Sequence, residues 1–167
     1  MEPQRDPPPG PEPVPELDLS LAALFAGYAL NDEVARRLVA RGFAGLRFSH
    51  GFLVQRLIDD EQSIAALAAA LGITQQAVSK TVAELERRGY VRRRPAPHDA
   101  RVRLVALTER GRAAVEAARA ERAAVVAELR ERLGPRRVDA ATRVLREVIE
   151  LHGGGAAVRA RRVRPPG

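Results

Sequence analysis

A chain of 167 residues is long enough for one domain with a core of its own, plus tails. Its 28 basic side chains against 21 acidic ones leave a net +7, which favours an anionic partner. With no cysteine and a single methionine at position 1, disulfides and thiol or methionine redox sensing are excluded.

Residues 1–16 hold seven of the twelve prolines and four acids (Glu2, Asp6, Glu12, Glu16) against Arg5. Such a segment is expected to stay extended and unpacked. A helix is predicted from about Leu19 to Ala40, with Leu21, Leu24, Phe25 and Tyr28 in one stripe and Val34, Leu38 and Val39 continuing it; Arg41-Gly42 breaks it. A second helix starts at Arg47 or Ser49 and ends near Ile58, with His50, Leu53, Val54 and Leu57 at helical spacing. Asp59, Asp60 and Glu61 make an acidic turn.

The most informative stretch follows. Ser63 caps a helix over Ile64–Leu71, whose Ile64, Leu67, Ala68 and Leu71 share a face. Gly72 ends it, Ile73 reads as a buried plug, and Thr74 caps a helix from Gln75 to about Arg88, closed by Gly89. A helix, a short turn and a second helix form a helix-turn-helix, whose second member presents side chains to the DNA major groove. In that helix Ala77, Val78, Val82 and Leu85 should face inward. Gln75, Gln76, Ser79, Lys80 and Ala83 are left outside, and Lys80 is the only lysine in the chain. Glutamine pairs with adenine, and serine and lysine reach bases or phosphates, although a polar outer face is also what any solvated helix shows.

A β-hairpin is predicted next, with strands Tyr90–Arg94 and Arg101–Leu107 around a Pro95–Ala100 loop. Arg101 and Arg103 share a face with Val105 and Leu107, so charge gathers at the tip and apolar residues at the root. From Gln75 to Arg112 there are ten basic and four acidic side chains, a net +6 out of the chain's +7. That concentration is an electrostatic footprint for nucleic acid. Thr108 caps a long helix to Leu133, with a Val115, Ala118, Val125, Val126, Leu129, Leu133 stripe and pairs such as Glu128–Arg132. Gly134-Pro135 ends it. A last helix, about Arg136–Leu151, is terminated by Gly153-Gly154-Gly155, and residues 153–167 form a basic, flexible tail.

Asp99-Ala100-Arg101 followed by Leu107-Thr108-Glu109-Arg110-Gly111 resembles the D-x-R…L-T-x-x-G signature of the MarR family of bacterial transcription regulators. LAAALGITQQAVSKTVAELERRGYVRR before it resembles the same family's helix-turn-helix. The resemblance implies a mainly α fold with a small hairpin wing: a winged helix-turn-helix with terminal dimerisation helices. On that reading the DNA-binding lobe spans about 62–108 and the dimerisation helices about 19–41 and 109–152, within one unit over 17–152. Gln62-Ser63-Ile64 would add a short third strand. The resemblance further implies a homodimer on a palindromic operator. Arg101 would then enter the minor groove, positioned by Asp99, where a hairpin-closing salt bridge is the plainer alternative. Thr74, Gln75, Gln76, Ser79 and Lys80 would serve the major groove, and Arg92, Arg93, Arg94 and Arg103 the phosphates. The family often senses small aromatic or phenolic anions; Tyr28, Arg47, Phe48, His50 and Phe52, with Arg36 as a further candidate, would line such a site, or simply be core aromatics and a buried histidine.

Other chemistry finds no support in the residues. His50, His98 and His152 lie on three different elements with no metal-ligand spacing, and neither a P-loop nor a Ser–His–Asp arrangement is readable. No cofactor, metal or enzymatic activity is expected. The apolar runs Leu21–Leu30 and Ile64–Ile73 are too short to cross a bilayer, and no signal peptide is apparent, so the expected location is the cytoplasm, with no membrane partner. The expected function is a DNA-binding regulator, a repressor relieved by a ligand. The alternative is a winged-helix protein-interaction module.

Overall fold

The computed structural model describes residues 15–97 and 102–159. Its elements run α1 (Leu19–Ala40), α2 (Phe48–Arg56), β1 (Gln62–Ser63), α3 (Ile64–Leu71), α4 (Gln75–Arg87), β2 (Val91–Pro95), β3 (Arg103–Leu107), α5 (Glu109–Leu133), α6 (Pro135–Leu151) and α7 (Gly154–Arg159). The expected fold class holds: helices dominate, with one small antiparallel sheet in the order β1-β3-β2. Val91 pairs with Leu107, Pro95 with Arg103, and Gln62 with Val105.

Local chemistry explains where the elements start and stop. Asp18 caps α1, its Oδ1 accepting from the Ser20 hydroxyl and from the Ser20 and Leu21 amides, and these bonds, the hydroxyl's first, hold its carboxyl below the usual carboxylate range. Ser63 caps α3 and Thr74 caps α4 in the expected way. Gly72 takes the left-handed conformation, so the Gly72 and Ile73 amides bond back to Ala69 and Ala68 carbonyls and close α3. Gly89 does the same for α4, and the Tyr90 amide therefore serves the turn rather than the strand; β2 begins one residue later than expected.

Two apolar clusters result. The larger joins Leu53 and Leu57 of α2, Leu67 and Leu71 of α3, Val78, Val82 and Leu85 of α4, the wing root (Tyr90, Val91, Val105, Leu107), and Ala114 and Val115 of α5. The smaller joins Val34 and Leu38 of α1 to Ala117 and Val125 of α5. Arg37 reinforces the second, giving two 2.7 Å bonds to Glu128 while also pairing with Glu33. Glu128 is thus taken across the α1–α5 contact instead of by Arg132 along its own helix. A two-pronged guanidinium–carboxylate pair fixes geometry that a flexible i,i+4 pair does not.

Several expectations are corrected. Ile73 is no buried plug: it is 42% exposed, because Leu71 and Val78 already close the core at that turn. Ala77 is exposed as well, one helical step from the zero-exposure stripe Val78–Val82–Leu85. Ser79, expected outside, is half-buried. The last helix ends at Leu151 ahead of the glycines, as expected, but the residues after it are not a loose tail throughout: the chain turns at Gly153 and a short α7 follows over Gly154–Arg159. Pro135 is the first residue of α6, where its missing N–H costs nothing.

His50 is buried, at 2% exposure. Its amide donates to the Arg47 carbonyl at 3.0 Å, and the Arg47 amide donates to its Nδ1 at 3.2 Å, a reciprocal cap for α2. Arg47 Nε and Nη2 face the other ring nitrogen at 3.1 and 2.9 Å. Burial first, and the Arg47 charge second, hold the imidazole below its ordinary pKa; Glu84 opposes them. The unfolded chain therefore takes up a proton that the folded chain refuses, and stability falls as pH drops below the ordinary histidine value of about 6.5. Urea unfolding between about pH 7 and 5 should show this slope, and His50→Gln should flatten it. An unchanged slope in the variant would mean that another group is responsible.

The signature glycine has a steric cause. Thr108 Oγ donates to the Gly89 carbonyl at 2.6 Å and accepts from the Gly111 amide at 3.0 Å, drawing the start of α5 onto the wing root. A Cβ on Gly111 would lie 2.1 Å from the Tyr90 carbonyl oxygen and 3.2 Å from Leu107 Cδ2. Gly111→Ala should cost about 1–3 kcal/mol through overpacking, read as a lower urea midpoint with an unchanged slope. Gly51→Ala, in open space, should be neutral or gain up to about 1 kcal/mol from helix propensity. Equal effects at both positions would refute the steric account.

Candidate nucleic-acid interface and the adjoining cleft

The α3–turn–α4 unit presents its polar side to solvent. Thr74 is occupied by the cap, its Oγ accepting from the Ala77 amide at 3.2 Å, so it orients the first turn of α4. Gln75, Gln76 and Lys80 stand exposed, with Gln76 and Lys80 one turn apart on one face. Behind them Val78, Val82 and Leu85 are fully buried, which fixes the rotation of α4 about its axis.

The wing's arginines divide into two groups. Arg92 and Arg103 are exposed and form no ion pair among the described residues, as do Lys80 and Arg87. Arg93 is held inward: its amide donates to Glu86 Oε1 at 3.1 Å, its guanidinium lies 3.4 Å from Glu86 Oε2, and Nη2 donates to the Ser79 carbonyl at 3.3 Å. Arg94 makes a bidentate pair with Glu61, at the foot of β1. Of the four arginines expected at phosphates, two are therefore committed to acids of the protein. Asp99 and Arg101, and the pair expected between them, lie outside the described residues, as does His98.

Between α1, α2 and α5 lies a cleft of about 90 Å³, open to solvent. Its walls are largely apolar, including Val34, Leu38, Phe48, Val54 and Ala118, and its polar lining is Asn31, Arg47, His50, Gln55 and Arg122. No described lining residue is acidic. Of the expected ligand residues, Arg47, Phe48 and His50 line this cleft. Tyr28 lies exposed on α1 beside Phe25, and Phe52 packs edge-on against Phe48 at 5.3 Å and against the larger core cluster. Arg36 is exposed and paired with Glu33, whose carboxyl it and Arg37 hold down to about 2. Asn31, Gln55 and Arg122 were missed. Asn31 shares a face with Val34 at i+3, a signal open to sequence reasoning; Arg122 depends on how α5 crosses α1, which is not.

The loop joining α1 to α2 closes one side of this region. Tyr90 Oη donates to the Ala44 carbonyl at 3.0 Å, and Arg110 Nη2 to the Gly42 carbonyl at 2.7 Å, with the guanidinium stacked over the Tyr90 ring. The wing root and the start of α5 thereby hold the cleft's edge.

The family model described as MarR family matches residues 51–102. No curated protein sequence matches the chain. Among solved structures, a transcriptional regulator (MarR family) from Rhodococcus sp. RHA1 is 25% identical, with 78% of this chain and 91% of that one covered and a TM-score of 0.55. RV1404 from Mycobacterium tuberculosis is also 25% identical, covering 81% and 93%, with a TM-score of 0.61. A MepR mutant from S. aureus, bound to an oligodeoxyribonucleotide, shares the fold at 20% identity, 81% and 98% coverage and a TM-score of 0.59. The matched segment takes in the helix-turn-helix and the first wing strand, and the fold agrees over most of the chain's length, so the chain is similar to MarR-family transcription regulators.

Proposed function

We propose that the protein is a cytoplasmic homodimeric repressor that binds a palindromic operator and is released from it by a small aromatic or phenolic anion. The observation that carries the reading is the exposed row Gln75, Gln76 and Lys80 on a helix whose buried face fixes its orientation, flanked by unpaired Arg92 and Arg103. Glutamines offer base-edge recognition, and the cations offer phosphate contacts. Half-buried Ser79 serves at the margin of this row. For Arg101 and Asp99, outside the described residues, the minor-groove role is the one the sequence resemblance implies; Arg93 and Arg94 set the wing rather than touch phosphate.

Dimerisation is supported by apolar surface that the single chain leaves uncovered. Leu21, Leu24 and Phe25 on α1, and Val144, Leu145 and Ile149 on α6, are all exposed, and α6 buries no residue although one of its faces is strongly apolar. Helices 19–41 and 109–152 then serve as the dimerisation region and residues 62–108 as the lobe that reads DNA, with two-fold symmetry matching a two-fold operator. The ligand class is supported by the cleft's apolar walls, its arginines and its lack of acidic lining. No helix among the described residues is long and apolar enough to cross a membrane.

Selection from random duplex DNA should enrich a palindrome; an interaction module would enrich none. On the selected duplex, Gln76→Ala should cost roughly 1–3 kcal/mol and relax preference at one position per half-site. Lys80→Ala should weaken all sequences alike and lower the salt slope by about one unit per subunit. Binding without salt dependence would remove the DNA reading. Leu145→Glu together with Ile149→Glu should yield monomers in sedimentation velocity; an unchanged mass would refute the proposed interface.

A further inference from the structure

The arginine at the cleft's lip already has partners. Arg47 is 63% exposed in its side chain, and its Nη2 is bonded to Glu84 Oε2, on α4. Glu84 is only 17% exposed, and the same carboxylate lies 3.6 Å from His50 Nε2 and 3.4 Å from Arg88 Nη2. Thus one side chain of the cleft wall reaches directly to the helix that carries Gln75, Gln76 and Lys80. Glu84 sits between buried Val82 and Leu85, so its position reports the rotation of α4. Arg88, the neighbouring cation, packs over Gly45, whose left-handed backbone leaves no room for a Cβ: one there would be 1.8 Å from Arg88 Nη1. The α1–α2 loop, the cleft lip and α4 therefore meet at one carboxylate.

We infer that Arg47 transmits ligand binding to DNA binding: an anion in the cleft takes the Arg47 guanidinium from Glu84, and α4 loses the ion pair that ties it to the cleft lip. The inference rests on the proposal that the cleft takes an aromatic anion. The Arg47–Glu84 pair is accessible on the arginine side, so a desolvated carboxylate in an apolar cleft can compete for the same donor fork. The ligand shifts α4 only by the difference in its affinity for the tethered and released states. By linkage, DNA must weaken the ligand by the same factor.

The probes are benzoate, which carries one carboxylate on an apolar ring, and benzamide, its neutral counterpart. Benzoate binding is measured by calorimetry and affinity for the selected duplex by fluorescence anisotropy. For the native protein, benzoate should weaken DNA binding by about 5–150-fold, the usual range for coupling between sites, and benzamide should not. Glu84→Gln should already bind DNA more weakly, should bind benzoate at least as tightly as the native protein, and should lose less than twofold more DNA affinity on adding benzoate. Arg47→Gln should lose benzoate binding. Circular dichroism melts of both variants identify one that fails to fold, in which case the other carries the test. A full benzoate response in folded Glu84→Gln, undiminished benzoate binding in folded Arg47→Gln, or a native complex indifferent to benzoate would each overturn the inference. If the native protein selects no duplex at all, it is the regulator reading that fails instead.

Discussion

The close approach of α5 to the Tyr90 carbonyl is the constraint on which the rest of this structure hangs. Thr108 turns the chain from wing to helix, accepting from the Gly111 amide and donating to the carbonyl of Gly89. Only a residue without a side chain fits at Gly111. The joint puts Ala114 and Val115 into the same cluster as the wing root and α4, so the hairpin is anchored in a core rather than projecting from a flexible stalk. Burial of Val105, Leu107, Tyr90 and Val91 then fixes the sheet's pose against α4, and with it the distance between α4 and the wing.

Acidic residues shape the basic surface as much as the arginines do. Glu61, Glu84 and Glu86 each take one or more guanidinium groups: Arg94, Arg47 and Arg88, and Arg93. These pairs are partly shielded and multiply bonded, unlike isolated surface pairs whose net contribution is close to zero. Among the described residues of this stretch, the cations left without an ion pair to an acid include Lys80 and Arg87 on α4, Arg92 and Arg103 on the wing and Arg112 on α5. A count of charges along the sequence treats all ten basic residues as equivalent; the fold makes some of them structural and leaves others to an anion.

Much of the architecture was legible because local rules settled it. Ser63, Thr74 and Thr108 mark three helix starts, Gly72 and Gly89 two helix ends, and the 3.6-residue spacing of Val78, Val82 and Leu85 the inner face of α4. The wing followed from alternation, and the family resemblance from Asp99, Arg101 and the Leu107–Gly111 run. What failed was tertiary. Whether Ile73 is covered depends on what already fills the core below its turn. That Arg93 faces Glu86 depends on how β2 lies against α4. Phe52 lies one helical turn from the cleft residue Phe48 and touches its ring, yet it packs against the larger core cluster and does not line the cleft, which sequence spacing alone cannot tell.

One helix belongs to both apolar clusters. α5 contributes Ala114 and Val115 to the lobe beneath the wing and Ala117 and Val125 to the contact with α1. Its 25 residues span about 37 Å at 1.5 Å per residue. Such a shaft acts as a lever: tilting its far end by about 5° displaces one tip relative to the other by roughly 3 Å, on the scale of a hydrogen bond. A rocking of α1 against α5 by those few degrees would carry through this rigid shaft to the wing root as a displacement of about that size.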